Sequence, residues 1–159
     1  MAIDTSKPKE KRGAIWVWAQ VLLLLVYILI PRMGYWIGLP LLFSGLGVLF
    51  MGWGIMILIV AVRTIGWKNI SPFPRPPKNA SLVTEGPFHY IRHPMYMAVI
   101  LFTLGWPLSS AHWARFVVAG GIAAFLLLKA RNEENYLRER FPGYAEYASR
   151  TKGFLPGLY

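Results

Sequence analysis

The sequence predicts an all-α integral membrane protein with four transmembrane helices. Hydrophobic residues make up 55% of the 159-residue chain and charged residues only 15%, whereas soluble domains carry about 25% charged residues. The apolar residues are gathered into four runs, and most basic residues lie in the segments that flank these runs. A helix needs roughly 17–25 apolar residues to cross a bilayer, and the first two runs meet that length.

The first two predicted spans cover about residues 14–31 and 37–62. Each apolar run contains a single polar side chain, Gln20 in the first and Ser44 in the second. A basic segment, residues 1–12, precedes the first run, as in a signal peptide. No small-residue cleavage site follows the run, so we predict a polar tail ahead of a retained helix.

The second run also contains four glycines, Gly45, Gly47, Gly52 and Gly54. Small residues let helices approach closely in lipid, and they would equally let a cofactor lie against the backbone. We favour helix packing, because glycine is common in membrane helices generally.

The third and fourth predicted spans cover about residues 94–108 and 113–140, which completes a single transmembrane domain at 13–159. Pro94 suits the first turn of a helix, where its missing N–H costs nothing. The fourth helical pattern continues past the apolar run until Pro142 stops it. About three turns of this long helix should therefore project into the cytoplasm. The aromatic C-terminal tail that follows is expected to fold back onto the same end.

The distribution of charge predicts the orientation. The formal net charge is +10, and the basic residues cluster before the first span, in the loop at 63–93 and after the fourth span. The positive-inside rule then places both termini and this loop in the cytoplasm. We expect the inner (plasma) membrane of a prokaryote. A basic chain also suits nucleic acid, but no recognition motif supports such a partner.

The composition excludes some chemistry. The chain has no cysteine, which rules out disulfides, thiolate metal sites and cysteine nucleophiles. His89 and His93 are too few for a metal site without suitably spaced carboxylates, so we predict no metal.

The loop at 63–93 is the most irregular part of the chain. Its stretch SPFPRPPKN holds four prolines in nine residues, which predicts an extended, stiff segment. Loops of this length are usually functional or disordered. The aromatic residues Phe73 and Phe88 favour a packed loop.

The motif RHPMY, at 92–96, places polar groups at the start of the third span. With Pro94 as the first helical residue, Arg92 and His93 lie at a helix N-terminus, which favours an anion. Arg92 adds a permanent charge suited to a carboxylate or phosphate, and Tyr96 is able to stack on a ring. The alternative is a belt of interfacial side chains among lipid head groups. We favour a site, because the whole cluster adjoins the proline-rich loop.

Glu133 and Glu134 lie about one turn beyond the fourth apolar run. Each has a basic residue four positions away, Lys129 or Arg138, so a solvated, salt-bridged face is one interpretation. Neighbouring helix positions point about 100° apart, so the two need not share a role. The other interpretation is a carboxylate near the third helix that binds an ammonium or sulfonium, or accepts a proton.

Two segments together carry a family resemblance, LVTEGPFHYIRHPMYMAVILFTLGW and EENYLRERFPGYAEYASRTKGFLPG. They resemble the isoprenylcysteine carboxyl methyltransferase family and the related phospholipid N-methyltransferases. The match runs from about Ser71 to the C-terminus, and RHPxY paired with EExxL and a tyrosine-rich tail is more specific than either motif alone. Ala98 departs from the glycine or serine common there. The resemblance implies a membrane-embedded methyltransferase that uses S-adenosyl-L-methionine.

The resemblance also implies roles for particular residues. The cofactor is expected to be bound by His89, Arg92, His93, Pro94, Tyr96, Glu133 and Glu134. Arg92, Glu133 and Glu134 are the expected catalytic residues, and Arg140 and Tyr144 are assigned to a lipid or prenylated substrate that enters between helices. A carboxylate acceptor needs no base, whereas a phospholipid amine must lose a proton, which a glutamate can take. The acceptor stays open between these two.

Two functions of other classes compete with this one. Membrane sterol reductases, which use NADPH, look similar around RHPxY, but they are usually longer and the chain shows no further nucleotide-phosphate cluster. A non-enzymatic membrane scaffold would tolerate loss of Arg92 or Glu134.

Overall fold

The computed structural model describes residues 7–31, 41–73, 77 and 79–154. Within these ranges the chain is helical and has no β-strand, which confirms the all-α prediction. The α-helices are Lys7–Leu29 (α1), Leu41–Ile65 (α2), Pro94–Ser110 (α3), Trp113–Arg140 (α4) and Tyr144–Arg150 (α5). Two short 3-10 helices, Trp67–Asn69 and Gly86–His89, interrupt the loop between α2 and α3.

Some predicted features lie outside the described residues. They are residues 1–6 of the basic tail, the start of the second span at 37–40, and residues 74–76 and 78 of the proline-rich segment. The others can be compared directly. α4 has the predicted bounds, whereas α1 begins at Lys7, inside the predicted tail.

α3 continues two residues beyond its predicted end. The hydroxyls of Ser109 and Ser110 both donate to the carbonyl oxygen of Trp106, at 2.8 and 2.7 Å. These local hydrogen bonds extend the last turn into the polar connection. Ala111 then adopts a left-handed φ of 56°, which ends the helix.

The helices form a small bundle in which α3 and α4 occupy the middle. α2 packs along α3, α3 packs against α4, and α1 packs against α4. Tyr27 of α1 joins a buried cluster with Ala119, Ile122 and Leu126 of α4. Its hydroxyl donates to the carbonyl oxygen of Thr103 on α3 at 2.7 Å, so one polar bond ties α1 to the middle of the bundle.

Close packing of α2 on α3 explains two of the four glycines in the second span. A Cβ atom added at Gly54 would lie 2.7 Å from the carbonyl oxygen of Ala98, and one at Gly47 would clash with the backbone of Ser109. Gly45 and Gly52 would meet nothing within 4 Å. The predicted packing role therefore holds for the two glycines that face α3.

Two helices, α2 and α4, are long and apolar enough to cross a bilayer, whereas Gly13–Leu29 and α3 are apolar but shorter. Only 17% of the most apolar stretch of α2 is buried in the structure. An apolar helix that is exposed on most sides suits contact with lipid rather than the core of a soluble domain. Four spans and the orientation of the termini stay predictions.

The C-terminal tail folds back onto the start of α3, as predicted. The amide of Arg92 donates to the carbonyl oxygen of Lys152 at 2.7 Å, and the amide of His93 donates to that of Gly153 at 3.1 Å. In return, the amide of Lys152 donates to the carbonyl oxygen of Tyr90 at 3.2 Å. These bonds fix the tail beside the RHPMY motif.

Candidate functional site

A cavity of about 470 Å³ lies at one end of the helix bundle. It is bordered by the middle of α1, the C-terminal parts of α2 and α4, the start of α3, the loop before α3, and α5. Small-molecule sites typically have about 300–1,000 Å³. Most of the wall is apolar, and the ionisable side chains that reach it include Arg92, His93, Lys129 and Glu133.

Arg92 and Glu134 form a buried ion pair beside this cavity. Nε of Arg92 donates to Oε1 of Glu134 at 2.8 Å, and both side chains are under one-tenth exposed. Nη1 of Arg92 donates to the carbonyl oxygens of Thr151 at 2.5 Å and Ala148 at 3.1 Å. The guanidinium therefore joins α4 to the folded-back tail, in addition to lining the cavity.

Glu133 has different surroundings from its neighbour. It lines the cavity and accepts a short hydrogen bond from the hydroxyl of Tyr96. Nδ1 of His93 lies 3.9 Å from its other oxygen, Oε2. This carboxylate is held by cavity-lining side chains and not by an arginine within ion-pair distance among the described residues.

The two carboxyl groups consequently differ in pKa. Both lie beyond the apolar part of α4, which ends at Leu128. Burial alone raises the pKa of Glu134, but hydrogen bonds from His93 and Arg92 and their charges outweigh it and lower the pKa to about 2. At Glu133 burial dominates and raises the pKa. Glu134 is thus a fixed anion, whereas Glu133 is suited to exchange a proton.

His93 connects the two glutamates. Its Nε2 lies 3.2 Å from Oε1 of Glu134, while its Nδ1 faces Glu133. The ring stacks with the rings of Tyr96 and Phe154, each at a centroid distance of 5.6 Å. These two contacts restrict the orientation of the imidazole.

Lys129 lines the site but was not among the predicted site residues, and one interpretation of its spacing from Glu133 placed it on a solvated face. The structure instead buries it, with 3% of its surface exposed, in the cavity wall. Nζ donates to Oε1 of Gln20 at 2.6 Å and to the carbonyl oxygen of Pro72 at 3.3 Å, and it lies 5.4 Å from the centroid of the Tyr96 ring. The sequence did contain a signal, because Gln20 is the one polar side chain in the first apolar run.

Two tyrosines of α5 complete the wall. The hydroxyl of Tyr147 donates to the carbonyl oxygen of Phe88 at 2.6 Å, and burial raises its pKa to about 12. The hydroxyl of Tyr144 is buried and has no hydrogen-bond partner among the described residues. A buried hydroxyl beside a cavity is a donor that a ligand can satisfy.

The structure brings together most of the predicted site residues, but not all. Arg92, His93, Pro94, Tyr96, Glu133 and Tyr144 line the cavity. Glu134 lies directly behind Arg92 and His93. His89 is exposed, with its ring beside that of Tyr90, and the exposed Arg140 also lies outside the lining. The roles assigned to all of these residues stay predictions.

In the described part of the chain, no group of three or more His, Asp or Glu side chains is arranged so that it could hold a metal ion. The polar groups of the cavity are those suited to binding and proton transfer.

Apolar helices exposed on most sides, with a mainly apolar cavity that several ionisable side chains reach, are typical of a helical membrane protein with a small-molecule site. A family model described as phospholipid methyltransferase matches residues 42–143. The chain therefore belongs to the phospholipid methyltransferase family, which confirms that part of the predicted resemblance.

Two curated relatives carry names of another kind. The chain is 36% identical over 102 residues to the cobalt-zinc-cadmium resistance protein CzcN of Cupriavidus metallidurans. It is 28% identical over 100 residues to the nickel-cobalt-cadmium resistance protein NccN of Alcaligenes xylosoxydans xylosoxydans. Each match covers 62% of this chain but only 46% and 47% of the relatives. The chain thus spans about half the length of these proteins.

Proposed function

We propose that the protein transfers a methyl group from S-adenosylmethionine to the amine of a membrane lipid, within the cavity at the end of the bundle. The observation that carries this proposal is Glu133, a cavity-lining carboxyl group whose pKa is raised by burial. An amine acceptor is protonated at neutral pH and needs a base before it can attack. A carboxylate acceptor would not need one.

The residues present fit the cofactor. S-adenosylmethionine carries a carboxylate, an ammonium, hydroxyls and a flat ring, and the cavity offers both charges and aromatic rings. The buried hydroxyl of Tyr144, which has no partner among the described residues, supplies a donor for a polar ligand. Arg92, His93 and Tyr96 would hold the cofactor's polar groups. When bound, S-adenosylmethionine supplies a methyl group on a positively charged sulfur.

Glu133 would act on the acceptor. Its carboxylate would take the ammonium proton and so free the nitrogen lone pair to accept the methyl group, with S-adenosylhomocysteine as the other product. Tyr96 donates to Oε1 of this carboxylate and keeps it directed at the cavity. The apolar wall excludes water, so that the proton and the methyl group pass between the intended partners.

Lys129 would hold the acceptor's phosphate. Its hydrogen-bond partners among the described residues are two neutral oxygen atoms, from Gln20 and Pro72, while the charge of Glu133 acts on it without an ion-pair contact. A buried ammonium is more stable in direct contact with an anion. A phospholipid amine carries its phosphate a few bonds from the nitrogen. Lys129 and Glu133 therefore form a cation and a carboxylate in one cavity that match the two charges of such a head group.

Arg92 and Glu134 serve mainly as positioning residues in this proposal. Their ion pair and the bonds from Arg92 to the tail hold α4, the start of α3 and the segment after α5 together. His93 lies between both glutamates, so the pair also orients the ring that faces Glu133.

The lipid would enter sideways from the membrane. Val21 of α1 and Leu58 of α2 both line the cavity and are about 40% exposed. Apolar, partly exposed side chains in the wall suit an opening between α1 and α2 through which acyl chains would remain in the bilayer. The basic segments at this end favour a cytoplasmic orientation in a prokaryotic inner membrane.

The proposal is tested by methyl transfer from labelled S-adenosylmethionine in nanodiscs. Phosphatidylethanolamine and a prenylated cysteine analogue are offered in parallel. We expect label in the phosphatidylethanolamine, and a loss of at least about a hundredfold in Glu133→Gln, since a general base typically contributes 10²–10⁴-fold. Glu139→Gln, an exposed change on the same helix, is the matched control. Label in the prenylated acid alone would refute the amine acceptor, and no label in either would refute methyl transfer to these lipids.

A further inference from the structure

The end of the bundle opposite the cavity holds a further buried cation, Arg115. It lies in the first turn of α4 and is only 7% exposed. Its guanidinium carbon lies 4.7 Å from the centroid of the Trp106 ring, near the C-terminal end of α3. Along α4, 14 residues separate Arg115 from Lys129 in the cavity wall, which is about 21 Å of helix.

No acidic residue forms an ion pair with Arg115 in the part of the chain that the structure describes. The seven acidic residues are Asp4, Glu10, Glu85, Glu133, Glu134, Glu139 and Glu146. Between residues 11 and 84, and between 86 and 132, the sequence contains none. The segments that connect α1 to α2 and α3 to α4 therefore have no carboxylate to offer. An arginine keeps its charge under all ordinary conditions, so deprotonation does not remove the free-energy cost of burying this cation.

Two features of the corner indicate an anionic ligand. Nε of Arg115 is buried and has no hydrogen-bond partner among the described residues. The helix that carries it, 28 residues long, begins at Trp113 without a side-chain cap from His112. The free amides and the positive dipole end of α4 therefore lie in the same turn as the guanidinium. Both favour an anion at this position. Cation–π contact with Trp106 alone leaves the Nε–H unsatisfied.

We propose that Arg115, together with the first turn of α4, binds the phosphate of a membrane lipid at the end of the bundle opposite the cavity. Arginine matches phosphate oxygens with paired donors. A lipid is favoured over free phosphate because the adjoining surface of α4 is apolar and exposed, with Trp113 48% and Val117 66% exposed. A tryptophan at a helix end is typical of the membrane–water interface, where lipid phosphates lie.

The site differs in purpose from the cavity. It neutralises a charge that the fold buries, and it would hold a lipid in the leaflet that the cavity does not face. It does not depend on the proposed reaction, because no residue of the corner lines the cavity.

Native mass spectrometry of the detergent-purified full chain tests this site, with phosphatidylglycerol added to delipidated protein. We expect the wild type to retain one such lipid, and Arg115→Gln to bind it at least about fivefold more weakly, as for the loss of one basic contact at a lipid surface. Arg63→Gln, which removes an exposed arginine at the cavity end, should bind like the wild type. Arg115→Lys, which keeps the charge but not the paired donors, should be intermediate.

Each other result decides against the proposal. Equal retention by Arg115→Gln and the wild type would overturn it. If inorganic phosphate alone raises the melting temperature as much as the lipid does, the site is a free-anion site and not a lipid site. If Arg115→Gln fails to fold, the wild type alone decides, since a wild type that retains no phosphatidylglycerol would refute the site.

Discussion

Glu133 and Glu134 show how two identical neighbours on one helix are given different chemistry. Glu134 turns toward the cationic side chains of Arg92 and His93, while Glu133 turns toward the hydroxyl of Tyr96 and the cavity. The 100° between successive helical positions is enough to place one carboxyl group in an ion pair and the other in an apolar wall.

Removing the charge of Glu134 should destabilise the fold. Glu134→Gln leaves Arg92 buried without its carboxylate, and the loss of one partner of a buried pair costs about 3 kcal/mol. We expect a clear fall in the melting temperature measured in detergent. Glu146→Gln, whose partner Arg150 is 71% exposed, should change the free energy of unfolding by less than about 0.5 kcal/mol. Equal effects of the two substitutions would contradict the structural role of Glu134.

The same pair predicts an acid dependence. The pKa of Glu134 is about 2 in the folded protein and 4.5 ordinarily. A carboxyl group with a lowered folded pKa stabilises the fold above its unfolded pKa, and this stability is lost as the pH falls from about 4.5 toward 2. The melting temperature of the wild type should therefore fall in this range more steeply than that of Glu134→Gln. Parallel curves would show that Glu134 is not ion-paired in the folded state.

Tyr144 and Tyr147 form a matched pair for separating binding from stability. Tyr147→Phe removes a buried hydrogen bond to the carbonyl oxygen of Phe88 and should cost about 1 kcal/mol of unfolding free energy. Tyr144→Phe removes a hydroxyl with no partner among the described residues, so the ligand-free protein should be no less stable. It should, however, weaken S-adenosylhomocysteine binding. A destabilised Tyr144→Phe with normal affinity would indicate a purely structural hydroxyl.

At the scale of helices, the interface between α2 and α3 depends on glycine at particular positions. Gly54→Ala would place a methyl group 2.7 Å from the carbonyl oxygen of Ala98, which forces the helices apart. We expect a lower melting temperature, with the free energy of unfolding reduced by about 1–3 kcal/mol, as is usual for overpacking. Gly52→Ala meets open space and should be neutral or slightly stabilising through helix propensity. The reverse order would contradict the packing of α2 on α3.

Most of the helical organisation could be predicted from the sequence, because apolar length and helix-stop signals are local. Pro94 and Pro142 mark the start of α3 and the end of the long α4. The burial of Lys129 could not be predicted in the same way. Its hydrogen-bond partners, Gln20 and Pro72, lie 109 and 57 residues away along the chain. Only the packing of α1 and of the loop before α3 against α4 brings them next to Lys129. Local charge spacing instead suggested a solvated face.

The candidate site was predictable to the extent that motifs carry it. RHPMY and the glutamate pair identify both walls of the cavity. The distinct environments of Glu133 and Glu134 depend on the rotation of α4 against α3 and on where the tail returns. Neither of these two features can be predicted from a local sequence pattern. For the same reason the sequence did not separate His89, which is exposed, from His93, which is buried.

The whole molecule combines two chemically different ends on one short bundle. One end carries the cavity, the acidic residues of α4 and α5, and the folded-back tail. The other carries Arg115 with no acidic residue in the adjoining connections. The chain belongs to the phospholipid methyltransferase family, and its matches to the relatives named for metal resistance cover less than half of those proteins. The proposed function therefore depends on the cavity itself and not on those names.

Whether the cavity binds S-adenosylmethionine is tested by calorimetric titration of the detergent-purified protein with S-adenosylhomocysteine and, separately, with NADPH. We expect S-adenosylhomocysteine to bind one site per chain and Tyr144→Phe to weaken this binding. NADPH should give no heat of binding. Binding of NADPH without S-adenosylhomocysteine would contradict the account and favour a reductase. If neither compound binds, the proposal that the cavity holds S-adenosylmethionine is refuted and a non-enzymatic scaffold is favoured.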